Sequence, residues 1–173
     1  MSYVSTAGGP EAACVFCSAL AAGDDRRSLI LHRGKLSFLI LNAFPYASGH
    51  LMAVITRHVG SIETATAEEL AEAMGLIQRG TRALAAAYHP DGFNVGLNQG
   101  RVAGAGVLGH LHIHLVPRWS GDTNFMSVVG DTRVIPDTLE NTYRELKQAW
   151  QEGRKELFYP YGKTYAQTLG EQD

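Results

Sequence analysis

The sequence predicts an α+β fold, in which about five antiparallel strands form one sheet and the helices pack on one side of it. Two observations carry this prediction. Five short apolar segments are separated by turn residues, and the first two follow each other closely enough to form a hairpin. Two longer segments instead repeat apolar residues every three or four positions, which is the period of an amphipathic helix.

The first half of the chain is predicted to supply one short helix and three strands. The helix runs through Phe16 and Leu20 and stops near Gly23. A turn around Gly34 joins the first two strands, and a loop over residues 42–49 leads into the third. The three strands are expected at residues 28–32, 36–41 and 50–56.

The second half is predicted to supply two long helices and two strands. Thr66 and Glu69 have the spacing of a capping box, which opens the first long helix. Its expected buried stripe consists of Leu70, Met74, Ile77, Leu84 and Tyr88. The second long helix starts at Pro136, with a stripe of Leu139, Tyr143, Leu146 and Trp150. The remaining strands are expected at residues 93–98 and 110–117.

Length and composition indicate one globular domain. The chain has 173 residues, of which 45% are hydrophobic and 18% charged. A formal charge of −2 gives no reason to expect a nucleic-acid polymer as a partner. Neither a signal peptide nor a run of about 20 apolar residues is visible, so we expect a cytoplasmic protein with no membrane partner. Residues 1–10 read as a flexible tail, 11–152 as the domain and 153–173 as a C-terminal tail.

The fifth predicted strand carries the chemistry. Three of the seven histidines, His110, His112 and His114, alternate with aliphatic residues there. Side chains alternate faces along a strand, so the three imidazoles share one face, with neighbours on the order of 7 Å apart. Imidazole acts as nucleophile, acid, base or metal ligand near neutral pH.

The segment His110–Val116 also resembles the histidine-triad pattern, His-φ-His-φ-His-φ-φ with φ apolar. Further similarity extends over most of the chain, at residues 14–17, 41–42, 49–51, 57–59 and 98–100. The segment Pro117–Phe125 looks like the bacterial branch that is related to diadenosine tetraphosphate phosphorylases and hydrolases. The chain is therefore identified as a member of the histidine triad (HIT) superfamily.

The resemblance implies an activity and an assembly. It implies a HIT-like fold whose sheet continues across a homodimer or a higher homo-oligomer. It implies transfer of a purine nucleotide, expected to be adenine, to phosphate or water through a nucleotidyl-histidine intermediate. By the resemblance, His112 is the nucleophile, His114 contacts the phosphate oxygens and the leaving group, and His110 assists. No organic cofactor is expected.

The segment between the fourth and fifth strands is rich in glycine and predicts a phosphate-binding loop. Glycine lets successive backbone N–H groups turn toward an anion, although a plain hairpin connection is the alternative. In the family, this loop holds the scissile phosphate, with an amide side chain where Asn98 stands. Ala105 and Gly106 replace the family's usual Gln or Ser, so their contribution must come from backbone N–H groups.

Three further residues are candidates for substrate binding. By resemblance, Asn42 contacts the ribose hydroxyls and His50 lies beside the catalytic face. Each has a structural alternative, Asn42 as an ordinary loop residue and His50 as a buried, hydrogen-bonded histidine. Trp119 follows the catalytic strand, where it stacks on a base or packs against the protein.

Cys14, Cys17, His58 and His110 are predicted to bind a structural zinc ion. Two thiolates and two imidazoles make a closed tetrahedral set, and the Cys-x-x-C pair has suitable local spacing. Some triad proteins and the related galactose-phosphate uridylyltransferases use an equivalent quartet. The alternative is a pair of reduced cysteines in the core.

Two other functions remain open from the sequence. The three histidines of the triad suit a zinc centre in a metal-dependent hydrolase, although no carboxylate lies nearby to act as a base. A non-catalytic nucleotide-binding or sensor module would keep the pocket without turnover.

Overall fold

The computed structural model describes residues 14–122 and 137–153. The predicted tail at residues 1–10, and the part of the C-terminal tail beyond Gly153, lie outside the described residues. Five strands are described: β1 (Ile30–Arg33), β2 (Ser37–Leu41), β3 (Leu51–Ile55), β4 (Gly92–Gly96) and β5 (His112–Arg118). The described helices are α1 (Val15–Ala21), a 3₁₀ turn (Ile62–Thr64), α2 (Ala67–Tyr88) and α3 (Leu139–Glu152).

The strands form one antiparallel sheet in the order β1-β2-β3-β5-β4. This confirms the predicted α+β fold with five strands. The strand boundaries differ from the predicted ones by one or two residues. The most important difference is at β5, which begins at His112 rather than His110. The preceding Leu111 N–H donates instead to the Val59 carbonyl, in the segment after β3, at 2.6 Å.

Both faces of the central sheet are covered. The side chains of β2 alternate, so that Leu39 and Leu41 belong to the cluster under α2 and α3, whereas Phe38 and Ile40 pack with Phe16 of α1. Every residue of β2 and β3 is buried. The two long helices therefore share one side as expected. Helix α1 lies on the other side, which corrects the prediction that the helices pack on one side of the sheet. The physical reason is that β2 and β3 are buried on both faces and need a second covering layer.

The buried face of α2 differs from the predicted stripe. Ile77 and Leu84 are buried as predicted, but Met74 is 50% exposed, and Leu70 and Tyr88 are only partly buried. Small residues, Ala73, Gly80 and Ala83, occupy the face that meets the sheet. They let the helix axis approach the strands closely, which turns the larger side chains to the flanks.

Helix α3 buries the predicted apolar stripe and forms hydrogen bonds with the edge strand β1. Tyr143, Leu146 and Trp150 are buried, and Leu139 packs beside them. The Tyr143 hydroxyl donates to the Ile30 carbonyl at 3.1 Å, and Lys147 Nζ donates to the next carbonyl at 2.7 Å. These carbonyls lie at an irregularity in the β1–β2 pairing, so α3 supplies donors where the ladder is interrupted. Pro136 lies outside the described residues, and α3 begins at Leu139 after the N-cap Thr138.

In the parts of the chain that the structure covers, none of the helices combines the length and the apolar character needed to cross a bilayer.

The capping box of α2 provides a test of the fold. Thr66 accepts a hydrogen bond from the Glu69 N–H, and the Glu69 carboxylate accepts one from the Thr66 N–H. We expect Thr66→Ala to lower the free energy of unfolding by about 1 kcal/mol, because it leaves a helix-end donor unpaired. Thr66→Ser keeps the acceptor and should stay near the parent value in urea unfolding. Equal stability of all three proteins would contradict this role.

Candidate active site

His112 and His114 share the face of the sheet that carries α1. They are paired across the sheet with Val54 and Met52 of β3, which belong to the cluster around Phe16. Their ring centroids lie 4.8 Å apart. The strand alternation that the sequence predicts therefore brings these two imidazoles together, while Ile113 and Leu115 enter the core under the long helices.

The orientation of the His112 ring is fixed by the backbone carbonyl of His110, two residues earlier. Its Nδ1 lies 2.8 Å from the carbonyl oxygen of His110, which can only accept a hydrogen bond. Nδ1 therefore carries the proton, and Nε2 of the neutral ring keeps a lone pair. Burial lowers the pKa of His112, and the hydrogen bond to the carbonyl partly offsets this effect. A neutral imidazole with an available Nε2 is the form that acts as a nucleophile.

His50 sets the tautomer of His114 through a chain of hydrogen bonds. Tyr46 N–H donates to His50 Nδ1 at 3.1 Å, so the proton of neutral His50 is on Nε2. His50 Nε2 lies 3.0 Å from His114 Nδ1 and donates to it. The proton of neutral His114 is therefore on Nε2. His114 is thus prepared to donate a hydrogen bond from its Nε2–H.

The imidazoles of His50 and His114 both stay neutral well below pH 7. Burial, together with the charges of His114 and His112, lowers the pKa of His50 to about 3. Burial and the charge of His112 lower the pKa of His114 to about 4. The face therefore combines an unprotonated imidazole nitrogen on His112 with a neutral donor on His114, without a fixed positive charge on either ring.

Asn42 organises the loop that precedes His50. Its Oδ1 accepts a hydrogen bond from Phe44 N–H at 3.0 Å, and its amide nitrogen lies 3.2 Å from His50 Nδ1. His50 itself is completely buried. The structure thus brings Asn42 and His50 to the histidine face, and it gives both of them internal hydrogen bonds. The contact of Asn42 with a ribose stays a prediction.

Cys14, Cys17, His58 and His110 form a compact cluster beside this face. Their four candidate ligand atoms all lie within 4.8 Å of one another. His110 Nδ1 lies 3.2 Å from Cys14 Sγ and 3.6 Å from Cys17 Sγ, and His58 Nδ1 lies 3.3 Å from Cys17 Sγ. Tetrahedral zinc with its usual bond lengths places neighbouring sulfur and nitrogen ligands about 3.6 Å apart.

The tautomer of His110 also suits a metal. Its Nε2 donates to the Ile55 carbonyl at 2.6 Å, which leaves the lone pair on Nδ1, the atom that faces both thiols. A carbonyl partner on the outer nitrogen is the usual support of a metal-binding histidine. The residues therefore fit a zinc ion in donor type, number, spacing and orientation.

The glycine-rich segment runs from Asn98 to Gly109, between β4 and β5. Gly100 and Gly104 adopt positive φ, as a loop that turns its N–H groups requires. Val107 packs against the cluster around Phe16. Among the side-chain hydrogen bonds of the described residues, none joins Asn98, Ala105 or Gly106 to a histidine of the triad. Their role toward phosphate stays a prediction.

The indole N–H of Trp119 forms a hydrogen bond within the protein. Its indole N–H donates to the Tyr88 carbonyl at 3.4 Å, at the C-terminal end of α2. Tyr88 packs against the core under the long helices, on the side of the sheet opposite the histidines. This contact favours the packing alternative, and stacking of Trp119 on a base stays a prediction.

Two aromatic residues that sequence reasoning did not assign to the site flank the histidines. The Phe16 ring lies 5.1 Å from the His112 ring, and the Tyr46 ring lies 4.7 Å from the His50 ring. Phe16 stands between the two cysteines, and Tyr46 lies four residues before His50. Those spacings were the only available signals, and neither reveals a contact across the sheet.

Comparison with known proteins agrees with this geometry. The HIT domain model matches residues 25–121. A protein of Mycobacterium tuberculosis named AP-4-A phosphorylase is 45% identical over 126 residues, which are 73% of this chain and 65% of the relative. The chain therefore spans just under two thirds of the length of that protein. The adenosine 5'-monophosphoramidase of Saccharomyces cerevisiae is 32% identical over 62% of this chain and 64% of its own length.

Solved structures show the same architecture. A zinc-bound histidine triad family protein from Mycobacterium smegmatis superposes with a TM-score of 0.67 and 27% sequence identity. The alignment covers 83% of this chain and 96% of that protein. The family model, the sequence relatives and the fold agree, and the chain belongs to the HIT domain family.

Proposed function

We propose that this protein is a nucleotidyl-transferring enzyme that cleaves dinucleoside polyphosphates, such as diadenosine tetraphosphate, or related nucleotide esters. The observation that carries the proposal is the fixed tautomer of His112. Its Nδ1–H is held by the His110 carbonyl, and its Nε2 lone pair shares a face with the Nε2–H of His114. A nucleophile beside a neutral hydrogen-bond donor is the pair that displacement at phosphorus requires.

The reaction proceeds in two displacements. His112 Nε2 attacks the α-phosphorus, a P–N bond forms, and the P–O bond to the remaining polyphosphate breaks with its electron pair on the departing oxygen. The His110 carbonyl, hydrogen-bonded to the Nδ1 proton, accommodates the positive charge that develops on the ring. His114 donates its Nε2–H to the phosphate and leaving-group oxygens. An acceptor oxygen then attacks phosphorus, and the P–N electron pair returns to His112.

The substrate-binding residues follow from family resemblance and from their positions. The backbone N–H groups near Ala105 and Gly106, with Asn98 in support, bind the reacting phosphate. Asn42 contacts the ribose, His50 orients His114, and Trp119 lies at the periphery. The nucleotide is expected to be a purine, adenine in particular, since both named relatives act on adenine nucleotides by name.

The acceptor is phosphate or water. The 45% identity to a phosphorylase favours phosphate, which would give ADP and ATP from diadenosine tetraphosphate. Water would give AMP and ATP instead. Product analysis with and without added phosphate distinguishes these outcomes, because both acceptors attack the same intermediate.

The structural metal is proposed as zinc at Cys14, Cys17, His58 and His110. Its chemistry is that of a closed tetrahedral ion with no open position for substrate. The cluster joins α1 to the segments before β5 and after β3, and so fixes the backbone that carries the His110 carbonyl.

The proposed assembly is a homodimer or higher homo-oligomer. In the described part of the chain, β4 is one of the two terminal strands of the sheet; the other, β1, is covered by α3, whereas Asn94, Val95 and Gly96 of β4 are exposed. A strand edge of this kind can pair with a second copy of the chain, which would continue the sheet.

A three-histidine metal hydrolase receives less support from the geometry. The Nδ1 of His110 faces the thiols, whereas the Nδ1 of His112 faces a carbonyl and that of His114 faces His50. The three rings therefore have different hydrogen-bond partners and do not converge on one metal site. A binding or sensor module differs from the proposed enzyme only in turnover.

Removal of the nucleophile tests the proposal directly. We expect His112→Ala to reduce cleavage of diadenosine tetraphosphate by roughly 10³-fold or more while nucleotide binding changes little. His89→Asn changes an exposed histidine at the end of α2 and should retain parent activity. Phosphoramidate should be detected on His112 of the parent protein by mass spectrometry after rapid quenching. Comparable turnover by His112→Ala would refute the assignment.

The neutral state of His50 and His114 predicts a pH-dependent stability. Their pKa values in the fold, about 3 and about 4, lie below the unfolded value near 6.5. The unfolded chain therefore binds more protons between pH 6.5 and 4, and the free energy of unfolding must fall as pH falls through that window. Each group contributes up to about 2 kcal/mol of this loss by pH 5.

Denaturant unfolding at pH 7 and pH 5 measures this effect. His50→Gln should show a smaller loss of stability between the two pH values than the parent protein. His89→Asn should show the parent loss, since that side chain is exposed. An identical loss in His50→Gln and the parent would mean that His50 is not held neutral by the fold.

Substitution of a thiol tests the metal. Protein purified without chelator should contain about one zinc per chain. Cys14→Ser should lose the metal and melt at least about 5 °C lower, with a smaller effect on activity measured well below that temperature. Ser18→Ala changes an exposed residue of the same helix and should retain both metal and stability. Metal-free parent protein, with normal melting of Cys14→Ser, would make the cysteines ordinary core residues.

A further inference from the structure

The side chain of Gln99 connects the start of the glycine-rich segment to the 3₁₀ turn at Ile62–Thr64. Its Oε1 accepts a hydrogen bond from the Ile62 N–H at 2.8 Å, and its Nε2 donates to the two carboxylate oxygens of Glu63 at 3.0 and 3.3 Å. The backbone N–H requires the amide oxygen and the carboxylate requires the amide nitrogen. Although Gln99 is exposed, its amide is therefore held in one orientation.

Glu63 is the charged partner in this connection. Its own backbone N–H and the Gln99 amide both lower the pKa of the Glu63 carboxyl group. The carboxylate is therefore ionised at neutral pH, and the hydrogen bond that it accepts from Gln99 is charge-assisted. A carboxylate in place of the Gln99 amide would face Glu63 with a like charge and without a donor.

The 3₁₀ turn is itself attached to the body of the protein. Arg57 Nη2 donates to the Thr64 carbonyl at 3.1 Å, and the same guanidinium donates to the buried Glu69 carboxylate at 2.9 and 2.8 Å. Glu69 also completes the capping box of α2. Gln99 thus connects the glycine-rich segment to a turn that is anchored to the segment after β3 and to the first turn of α2.

The segment after β3 also meets the other end of the glycine-rich segment. A Cβ atom at Gly60 would lie 3.0 Å from the Leu108 carbonyl oxygen and 3.2 Å from Gly109 Cα. A Cβ atom at Gly109 would lie 3.2 Å from His58 Nε2. Close backbone packing therefore holds this end. Among the side-chain hydrogen bonds between described residues, only those of Gln99 attach the opposite end.

Gln99 also fixes the course of the backbone beside Asn98. The Asn98 Nδ2 atom lies 3.9 Å from the position that a Cβ atom would take at Gly104, so this side chain lies against the loop. Ala105 N–H donates to the Gly100 carbonyl at 3.3 Å, which closes the turn directly after Gln99. A displacement of Gln99 would therefore move Asn98 and this turn together.

We propose that Gln99 is a positioning residue for the reacting phosphate group. This inference rests on the proposed function, in which Asn98 and backbone N–H groups of the loop bind that phosphate. Gln99 would not contact the phosphate itself. It holds the start of the loop against the 3₁₀ turn before the nucleotide arrives, so that less of the binding free energy is lost in ordering the loop.

The test separates phosphate binding from nucleoside binding. Adenosine 5'-monophosphate and adenosine differ only in the phosphate, and calorimetry measures their dissociation constants for the parent protein and its variants. Gln99→Glu removes the donor and sets two carboxylates against each other. Gln99→Glu combined with Glu63→Gln restores a donor and an acceptor with their positions exchanged, at the net charge of the parent. Gln78→Glu makes the same change at an exposed position of α2 and is the control.

We expect Gln99→Glu to weaken the binding of adenosine 5'-monophosphate about fivefold, and that of adenosine by less than about twofold. The double variant should recover to within about twofold of the parent affinity, because it restores the connection to the 3₁₀ turn. Gln99→Ala removes the connection without adding a charge and should weaken phosphate binding in the same direction. Gln78→Glu should bind both ligands as the parent does.

Three results would overturn the inference. If the double variant stays as weak as Gln99→Glu, the added charge at position 99, and not the lost connection, weakens binding. If both ligands lose affinity equally, Gln99 acts on the fold as a whole. If Gln99→Ala binds both ligands like the parent, the connection is dispensable. A parent protein that binds adenosine 5'-monophosphate no more tightly than adenosine, and does not cleave diadenosine tetraphosphate, would instead refute the proposed function itself.

Discussion

The hydrogen bond between His112 Nδ1 and the His110 carbonyl is the interaction on which the rest of the site depends. At 2.8 Å it determines which nitrogen of His112 carries the proton and directs the other nitrogen away from the backbone. A rotated or oppositely protonated ring would present a donor where a nucleophile is needed. The proposed chemistry thus reduces to the placement of one carbonyl oxygen two residues before the nucleophile.

That carbonyl is placed by contacts on both sides of the chain. The His110 ring donates to the Ile55 carbonyl and faces the two thiols of α1. The adjacent Leu111 N–H donates to the Val59 carbonyl, just after β3. Strand β5 then enters the ladder with β3 at His112. Position 110 is consequently held by a side-chain cluster before the strand and by regular pairing after it.

Much of the fold and half of the site follow from the sequence because they depend on local periodicity. Strand alternation is sufficient to put His112 and His114 on one face, and the spacing of Thr66 and Glu69 is sufficient to start α2. The Cys-x-x-C spacing is also local, and it places Cys14 and Cys17 together at the start of α1, where the structure brings His58 and His110 to them. The α2 stripe was misplaced because Ala73, Gly80 and Ala83 reach the sheet in place of larger residues.

The remaining features depend on contacts between distant segments. The sequence does not reveal that His50 holds His114, which is 64 residues away, or that Tyr46 packs over both rings. It also does not reveal that α1 covers the face opposite the long helices, since this follows from β2 and β3 being buried on both sides. A different case is the predicted phosphate-binding role of Asn98, Ala105 and Gly106. That role concerns contacts with a substrate rather than contacts within the protein, and it stays a prediction.

The tautomers of the two imidazoles test the central claim most directly. Long-range ¹⁵N–¹H correlation spectra of protein labelled with ¹⁵N-histidine, recorded at neutral pH, report which ring nitrogens carry protons. The account predicts His112 protonated only at Nδ1 and His114 protonated only at Nε2, with both rings neutral. A proton on Nε2 of His112, or a doubly protonated His114, would contradict it.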